Sequence, residues 1–396
     1  MEQAGWKKVI YLVCMIQIFA GIAMIGVLSF IPLFLSEIGV TDPGEAALWA
    51  GLISGVTPLM TAIAAPFWSI QADRRGPKFA MSAILTVGAL CALACSFVTS
   101  PFQMLALRTV QGLVGGFVPI GLALVARVTP EEKTSWAMGY FQAAMVMGIM
   151  FGPLVGGVIA DFFGYRMPFV IFGIMSLACL AAVRLFLPPL PGKGAEHKAS
   201  ALKQMVFFLK IPRVRLMTFM QFLCNFGITG IGPILPLYVK DMAGGETDMV
   251  ATVVGFIIFI AGGTSAMASL NAGNMTARFK IQRILIGATF FVGFTFIMQY
   301  MMHSVMGLGF FRGITGLGMG LIAPCTNTIL IRSVPEEKKT LVFGTVSSIF
   351  LLGNVAGPVF SGALAMSFGY ASVFWSTAAA FIGASFLLLW NFRKEL

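Results

Sequence analysis

The chain has 396 residues, of which 58% are hydrophobic and 10% are charged, and its formal net charge at pH 7 is +11. An ordinary soluble domain carries about 25% charged residues, so this chain cannot cover a globular surface with polar groups. The composition therefore excludes a soluble globular protein and predicts an integral membrane protein.

The apolar residues form long continuous runs instead of the alternating pattern that is typical of a β-barrel. Each run has about 20–28 residues, enough to cross a hydrocarbon core of ~30 Å as a helix. The first run is too long for a cleaved signal peptide. The sequence predicts an all-α integral membrane protein with 12 transmembrane helices. We number the runs as spans 1 to 12 in chain order: 9–36, 47–70, 78–99, 103–126, 136–160, 167–187, 215–239, 249–272, 283–303, 307–331, 341–365 and 371–391.

The basic residues lie mainly at one side of the predicted membrane. If the N-terminus is cytoplasmic, nearly all of the 26 lysines and arginines are cytoplasmic, and the outer loops hold only Arg166 and Lys240. This bias places both termini in the cytoplasm. The surplus charge is explained by topology, with some contact to anionic lipids, and does not require a nucleic acid.

The sequence shows no cofactor or metal motif. We expect the cysteines to be small buried hydrophobic residues, and neither histidine has metal-ligand spacing to them. No nucleophile–base set or phosphate loop indicates an enzyme. The six cysteines are Cys14, Cys91, Cys95, Cys179, Cys224 and Cys325.

The two halves of the chain are repeats. A shift of 204 residues places Gln17 on Gln221 and Arg108 on Arg312, and a shift of 205 places Gly152 on Gly357. We therefore predict a six-helix lobe at 1–187, a cytoplasmic linker at 188–213 and a second six-helix lobe at 214–396. A mixed basic and apolar stretch at 201–211 predicts a short helix on the inner membrane surface.

Glycine and proline are concentrated in two repeat-related spans. Residues 148–157 of span 5 contain four glycines and a proline, and residues 353–362 of span 11 are similar. Such residues allow close helix approach and local bending in a bilayer. We predict hinges at Gly148, Gly152, Pro153, Gly156, Gly157, Gly353, Gly357 and Pro358.

Three motifs carry a resemblance to a known family. Residues 72–78 read Ala-Asp-Arg-Arg-Gly-Pro-Lys, residues 107–112 read Leu-Arg-Thr-Val-Gln-Gly, and residues 148–157 hold the glycine cluster of span 5. Together they resemble the major facilitator superfamily and its drug:proton antiporter branch of bacterial inner-membrane multidrug exporters. Ser69 departs from the first motif, where the family usually has glycine. The resemblance implies a twelve-helix transporter, and the motif in span 5 implies export.

The loop between spans 2 and 3 is the first candidate site. The resemblance implies a cytoplasmic latch in which Asp73 accepts hydrogen bonds from a helix N-terminus of the other half. The second half has Ala277 at the equivalent position, so the latch is one-sided. The alternative is a solvated loop that only sets topology. The latch candidates are Asp73, Arg74, Arg75, Gly76 and Arg127.

Two acid–arginine pairs are candidates for proton coupling. Glu37 and Arg108 recur at the same shift as Asp241 and Arg312. A guanidinium at membrane depth is costly and usually faces water or a partner, so we predict a Glu37–Arg108 pair and an Asp241–Arg312 pair. The alternative is an arginine that only backbone carbonyls hold.

A third set of residues could line a substrate cavity. No carboxylate lies near the middle of a span, which disfavours strictly cationic substrates and favours neutral, zwitterionic or anionic amphiphiles. The polar candidates could instead bond across helix interfaces. The candidates are Gln17, Met24, Gln111, Gln142, Met145, Gln221, Asn225 and Asn327.

The sequence thus predicts a monomeric proton-coupled exporter of lipophilic or amphiphilic compounds in the cell inner membrane. Its partners are a small-molecule substrate, protons and membrane lipids. The alternatives are an exporter of a specific metabolite, siderophore or lipid, an uptake symporter for a sugar or organic anion, and a receptor or scaffold that transports nothing.

Overall fold

The chain is seen in a computed structural model that describes residues 5–191, 209–244, 249–335, 339–393 and 395. Most of the predicted surface helix at 201–211 and most of the predicted linker at 188–213 lie outside these residues. Every regular element among the described residues is helical. The α-helices are Gly5–Ile25, Ile31–Glu37, Pro43–Arg75, Pro77–Cys95, Pro101–Leu113, Phe117–Val128, Thr134–Phe163, Met167–Phe186, Pro212–Gly230, Leu235–Met242, Val250–Arg278, Ile281–Met301, Val305–Arg332 and Lys339–Phe392.

These helices account for the twelve predicted spans. Ten described stretches are long and apolar enough to cross a membrane, and the pair Pro212–Gly230 and Leu235–Met242, bent by 45°, forms an eleventh. One of the ten, Ile349–Phe392, contains a non-helical residue, Gly369 (φ 75°, ψ 173°), which separates spans 11 and 12. The prediction of an all-α membrane protein is confirmed, and the chain is a multi-pass membrane protein.

Spans 1 and 7 are broken, whereas the sequence predicts continuous helices there. Span 1 changes at Gly26 into one 3₁₀ turn and restarts as an α-helix at Ile31. Span 7 stops at Gly230 and restarts at Leu235. A proline lies in the first two positions of each restarted helix, where its missing N–H would have no helical partner. The two halves of the chain are therefore alike in the position at which their first helix is broken as well.

Span 4 is also broken, between Leu113 and Phe117. Gly116 has φ 131°, which L side chains rarely adopt, so a glycine is needed there. The break frees backbone carbonyls, and span 2 supplies the donors: Trp68 Nε1 donates to the Leu113 carbonyl at 2.8 Å and Thr61 Oγ1 to the Gly112 carbonyl at 3.3 Å. Unpartnered carbonyls would be costly in a bilayer, so spans 2 and 4 stabilise each other here.

The described residues fall into two compact units. Unit 1 comprises those of 1–41, 56–197 and 248–255, and unit 2 comprises those of 42–55, 198–247 and 256–396. The units differ from the predicted lobes in two short stretches, because spans 2 and 8 each contribute their first turns to one unit and their remainder to the other. We call residues 43–55 of span 2 and 250–255 of span 8 the exchanged segments.

Each unit is held by helix–helix packing around its own core. In unit 1, span 1 packs on spans 5 and 6, and span 3 packs on span 6. In unit 2, span 7 packs on span 10 and on the long helix of spans 11 and 12, which also contacts span 9. The core of unit 1 includes Ile10, Val125 and Phe141, none of which is exposed.

Candidate functional site

Arg108 lies in the first half of span 4 and is buried, with 4% of its surface exposed. Its Nη1 donates a hydrogen bond to Gln111 Oε1 at 2.8 Å, while its Nε has no hydrogen-bond partner among the described residues. The guanidinium lies 5.9 Å from the centroid of the Phe169 ring. The small pocket beside it is lined by Ala23, Val27, Ala92, Cys95, Gln111, Phe169 and Phe172.

Arg312 is the repeat equivalent of Arg108 and is held in a similar way within unit 2. It is 7% exposed, its Nη2 donates to the Ile228 carbonyl at 3.4 Å, and its guanidinium lies 5.6 Å from the centroid of the Phe296 ring. Nε and Nη1 have no partner in the described part of the chain. Each half thus buries one guanidinium. Contacts with aromatic faces and neutral oxygens offset only part of the free-energy cost of removing its charge from water.

The predicted acid–arginine contacts are not formed among the described residues, and a role of these four residues in proton coupling stays a prediction. Glu37 pairs with Arg166, with 3.2 Å between Oε1 and Nε, and Arg166 Nη1 also donates to the Ser96 carbonyl at 2.6 Å. Asp241 forms no salt bridge with Arg312, whose Nη2 donates to the Ile228 carbonyl. Glu37 ends the short helix Ile31–Glu37 that follows the break in span 1, and its carboxylate meets Arg166, which directly precedes the helix of span 6.

Glu37→Gln is therefore expected to change transport rates by less than about fivefold. The side chains of Glu37 and Arg166 are 42% and 40% exposed, and exposed ion pairs contribute roughly 0–1 kcal/mol. Transport and thermal unfolding of the variant and the parent protein measure the effect. Loss of all proton-driven transport in folded Glu37→Gln protein would restore Glu37 as the proton carrier.

The polar cavity candidates of unit 2 lie between helices. Gln221 Nε2 donates to Asn327 Oδ1 at 2.6 Å and to Thr326 Oγ1 at 3.3 Å, and Asn225 Nδ2 donates to the Phe350 carbonyl at 2.8 Å. These bonds join spans 7, 10 and 11. The alternative interpretation, bonding across helix interfaces, describes these three residues in the structure.

The candidates of unit 1 are less uniform. Gln17 is 4% exposed and its Oε1 has no partner among the described residues, so it is a buried acceptor. Gln111 is occupied by Arg108. Met24 and Gln142 are exposed on the surface of the unit, and Met145 is half-buried. Their roles in substrate binding stay predictions.

The glycines of span 5 lie at close helix contacts in unit 1. A Cβ on Gly148 would lie 2.9 Å from the Ile18 carbonyl oxygen, and a Cβ on Gly156 would overlap the Gly26 carbonyl oxygen. A Cβ on Gly157 would overlap the carbonyl oxygen of Ala251, in the exchanged segment of span 8. Span 5 thus uses one glycine face against span 1 and another against span 8.

Span 11 repeats this arrangement in unit 2. A Cβ on Gly357 would lie 2.6 Å from the Phe226 carbonyl oxygen of span 7. A Cβ on Gly362 would lie 2.6 Å from the Ala47 carbonyl oxygen, in the exchanged segment of span 2. Gly157 and Gly362 are related by the repeat shift of 205 residues. Both exchanged segments therefore pack on equivalent glycines.

Most of the predicted latch residues lie at the end of span 2 and in the turn that follows it. Asp73, Arg74 and Arg75 end the helix of span 2 and are exposed, and Gly76 turns the chain with φ 91°. Neither Asp73 nor Arg127 forms a salt bridge with a described residue. Gly76 adjoins the Leu190 carbonyl oxygen, so any side chain there would collide with the backbone. The latch contact stays a prediction.

Sequence reasoning missed Asp161, at the far end of span 5. Its Oδ2 accepts a hydrogen bond from the Thr252 N–H at 2.6 Å, and its Oδ1 accepts one from the Ala251 N–H at 3.3 Å. Burial raises the pKa of the nearby Tyr165 hydroxyl, and the charges of Asp161 and Glu37 raise it further. The available signal was a carboxylate four residues after Gly157 on the same glycine-rich helix.

Comparison with known proteins identifies relatives along the whole chain. The chain matches the sequence profile of the Major Facilitator Superfamily over residues 13–305 and again over 217–395. It is 30% identical to the multidrug resistance protein MdtG of Escherichia fergusonii over 391 residues, which cover 98% of this chain and 95% of that protein. It is also 30% identical to the multi-drug resistance efflux pump PmrA of Streptococcus pneumoniae, over 100% of this chain and 99% of that protein.

Solved structures with low sequence identity share the fold. A bacterial homologue of the human lysosomal transporter Spinster, in an inward-facing and occupied conformation, has a TM-score of 0.78 at 15% identity and covers 100% of this chain and 99% of its own. The nucleoside transporter NupG also has a TM-score of 0.78, at 13% identity, and covers 97% of this chain and 99% of its own.

Proposed function

The chain belongs to the Major Facilitator Superfamily, and we propose that it is a proton-coupled exporter of lipophilic and amphiphilic compounds that works by alternating access. It would act as a monomer in the bacterial inner membrane, with both termini in the cytoplasm. The names of the relatives MdtG and PmrA, a multidrug resistance protein and a multi-drug efflux pump, support export of several compounds.

The observation that carries this proposal is the paired packing of the exchanged segments. Gly157 faces the first turns of span 8 and Gly362 faces those of span 2, at equivalent positions of the two repeats. Contacts made through glycine backbone, with no interlocking side chains, can separate and re-form when two helix groups rock against each other. Repeat-related contacts of this kind suit a protein that opens alternately to the two sides.

The buried charges favour particular substrates. Arg108 and Arg312 are buried without a carboxylate partner among the described residues, and each has nitrogen atoms without a hydrogen bond. A lipophilic cation bound near these two fixed positive charges would have a higher free energy, because like charges repel. An anionic or zwitterionic head group bound there would have a lower one. We therefore expect neutral, zwitterionic and anionic amphiphiles to be better substrates than permanent cations. Export of one specific lipid or metabolite with an acidic head group is the second candidate.

Proton release from the purified protein tests this proposal. Addition of a substrate to a proton-coupled exporter in weak buffer displaces bound protons, and a pH-sensitive dye reports them. We expect release with anionic or zwitterionic amphiphiles and less release with matched quaternary ammonium compounds. Release that is absent for every compound, with protein shown to be folded by its thermal transition, contradicts proton coupling.

A further inference from the structure

The carboxylate of Asp161 joins two spans that are far apart in the sequence. It lies in the last turn of span 5 and accepts hydrogen bonds from two backbone N–H groups, those of Ala251 and Thr252, at 3.3 and 2.6 Å. These N–H groups belong to the first turn of the span 8 helix, which begins at Val250. First-turn N–H groups have no acceptor within their own helix, and the helix dipole favours an anion there.

The Asp161 contact involves a helix whose residues are divided between the two units. Residues 250–255 of span 8 belong to unit 1, while the rest of that helix, from Phe256, belongs to unit 2. A Cβ on Gly157 would overlap the Ala251 carbonyl oxygen, and a Cβ on Gly255 would overlap that of Pro153, so the backbones of spans 5 and 8 lie in direct contact beside Asp161. The hydrogen bonds of the Asp161 carboxylate therefore lie at one end of the backbone contact between spans 5 and 8.

The other half of the chain shows what is particular to Asp161. Its repeat equivalent is Met366 of span 11, which lies beside Gly44 at the start of span 2, with 3.2 Å between the Met366 Cα and a Cβ built on Gly44. That helix start is capped from its own chain, because Asp42 Oδ1 accepts a hydrogen bond from the Glu45 N–H at 2.7 Å. Asp161 thus accepts hydrogen bonds from N–H groups at the start of a helix in another span, whereas Asp42 accepts one from the start of the helix that directly follows it.

We propose that Asp161 is a latch residue that holds the predicted outer ends of spans 5 and 8 together while the transporter is closed to the outside. The proposal rests on the alternating access proposed above. It would complement Asp73, the latch candidate at the predicted cytoplasmic end of span 2, whose side chain is exposed. In this scheme each side of the membrane has one carboxylate, both from the first half of the chain, and the two engage in opposite states.

A distance measurement across the contact tests the latch. Spin labels on Met249→Cys, at the start of span 8, and Met167→Cys, at the start of span 6, report whether the exchanged segment leaves unit 1. Both residues are 38% exposed, and the six native cysteines are buried, which limits background labelling. Pulsed electron spin resonance on the full-length protein in lipid nanodiscs, without substrate, gives the ratio of long to short distances.

We expect Asp161→Ala to raise the ratio of long to short distances about tenfold or more, since two hydrogen bonds to a carboxylate are lost. Asp161→Asn should give an intermediate ratio, because its amide oxygen can still accept one hydrogen bond, and Asp161→Glu should approach the parent ratio. Ser304→Ala is the control: it removes a side chain that caps the start of span 10 through the Gly307 N–H and lies outside both exchanged segments, and it should leave the ratio unchanged.

A second variant gives a change of opposite sign. Asp73→Asn should lower the ratio of long to short distances, and the double variant Asp73→Asn/Asp161→Ala should lie between the two single variants, because distant effects on one equilibrium add. An unchanged ratio in Asp161→Ala, or in Asp161→Asn if the alanine variant does not fold, overturns the latch. Because no substrate is present, shifted distances in a protein that exports none of the tested compounds would uphold the latch and reject the proposed export.

Discussion

Gly157→Ala is expected to reduce transport about tenfold or more. The added methyl group would overlap the carbonyl oxygen of Ala251, and neither backbone can move without disturbing the other contacts of span 5. Overpacking of this kind costs about 1–3 kcal/mol, which corresponds to about a 5- to 150-fold change in an equilibrium between states. Because only the state closed to the outside contains this contact in our scheme, the variant should favour the outward-open state.

The matched control for this variant is on the same helix. Gly139 has open space where its Cβ would lie, so Gly139→Ala should keep parental transport and gain slightly in helix propensity. Initial export rates and the Met249–Met167 label distances are measured for both variants. Equal rates in Gly157→Ala and Gly139→Ala would contradict the assignment of span 5 as a gate.

Arg108→Lys is expected to reduce proton-driven transport about 10- to 100-fold. An ammonium group cannot reproduce the planar guanidinium that donates to Gln111 and lies over the Phe169 ring. A hydrogen bond to a charged group contributes about 1.5–3 kcal/mol, and its loss would leave Gln111 Oε1 unpartnered. The expected loss is larger than that of Glu37→Gln, because Arg108 is buried and Glu37 is not.

Arg166→Lys is the control for Arg108→Lys. It makes the same chemical change in a guanidinium that is 40% exposed and pairs with Glu37 at the surface. We expect it to alter transport less than about fivefold. Export rates with and without an imposed pH gradient separate coupling from binding. An Arg108→Lys protein that retains parental proton-driven rates would refute the prediction that this guanidinium takes part in proton coupling.

Much of the fold follows from the sequence, because each span can be recognised from the apolar residues of one continuous stretch. Twelve apolar runs, the repeat shift and the glycine clusters of spans 5 and 11 can be read without knowing which helices touch. The glycines at 148 and 357 are indeed at close helix contacts, since small residues leave room for a neighbouring backbone. The breaks in spans 1 and 7 were missed because continuous apolar runs conceal them, although Pro32 and Pro236 mark the restarts.

The candidate site was harder to predict, because its contacts join residues far apart in the sequence. The repeat predicts a pair of Glu37 with Arg108, whereas in the structure Glu37 pairs with Arg166, 129 residues later in the chain. Nothing in the sequence around Asp161 reveals that Ala251, 90 residues later, lies within hydrogen-bond distance of its carboxylate. Which helix start a carboxylate caps depends on tertiary packing.

Transport by inside-out membrane vesicles tests the central claim, proton-driven export by alternating access, most directly. In such vesicles the cytoplasmic face is outside, so an acidic lumen should drive protons out and anionic or zwitterionic amphiphiles in. We predict accumulation that requires the pH gradient, collapses with a protonophore and is greatly reduced in Gly157→Ala but not in Gly139→Ala. Accumulation that is independent of the gradient, or none for any compound in the panel with correctly inserted protein, would contradict the account.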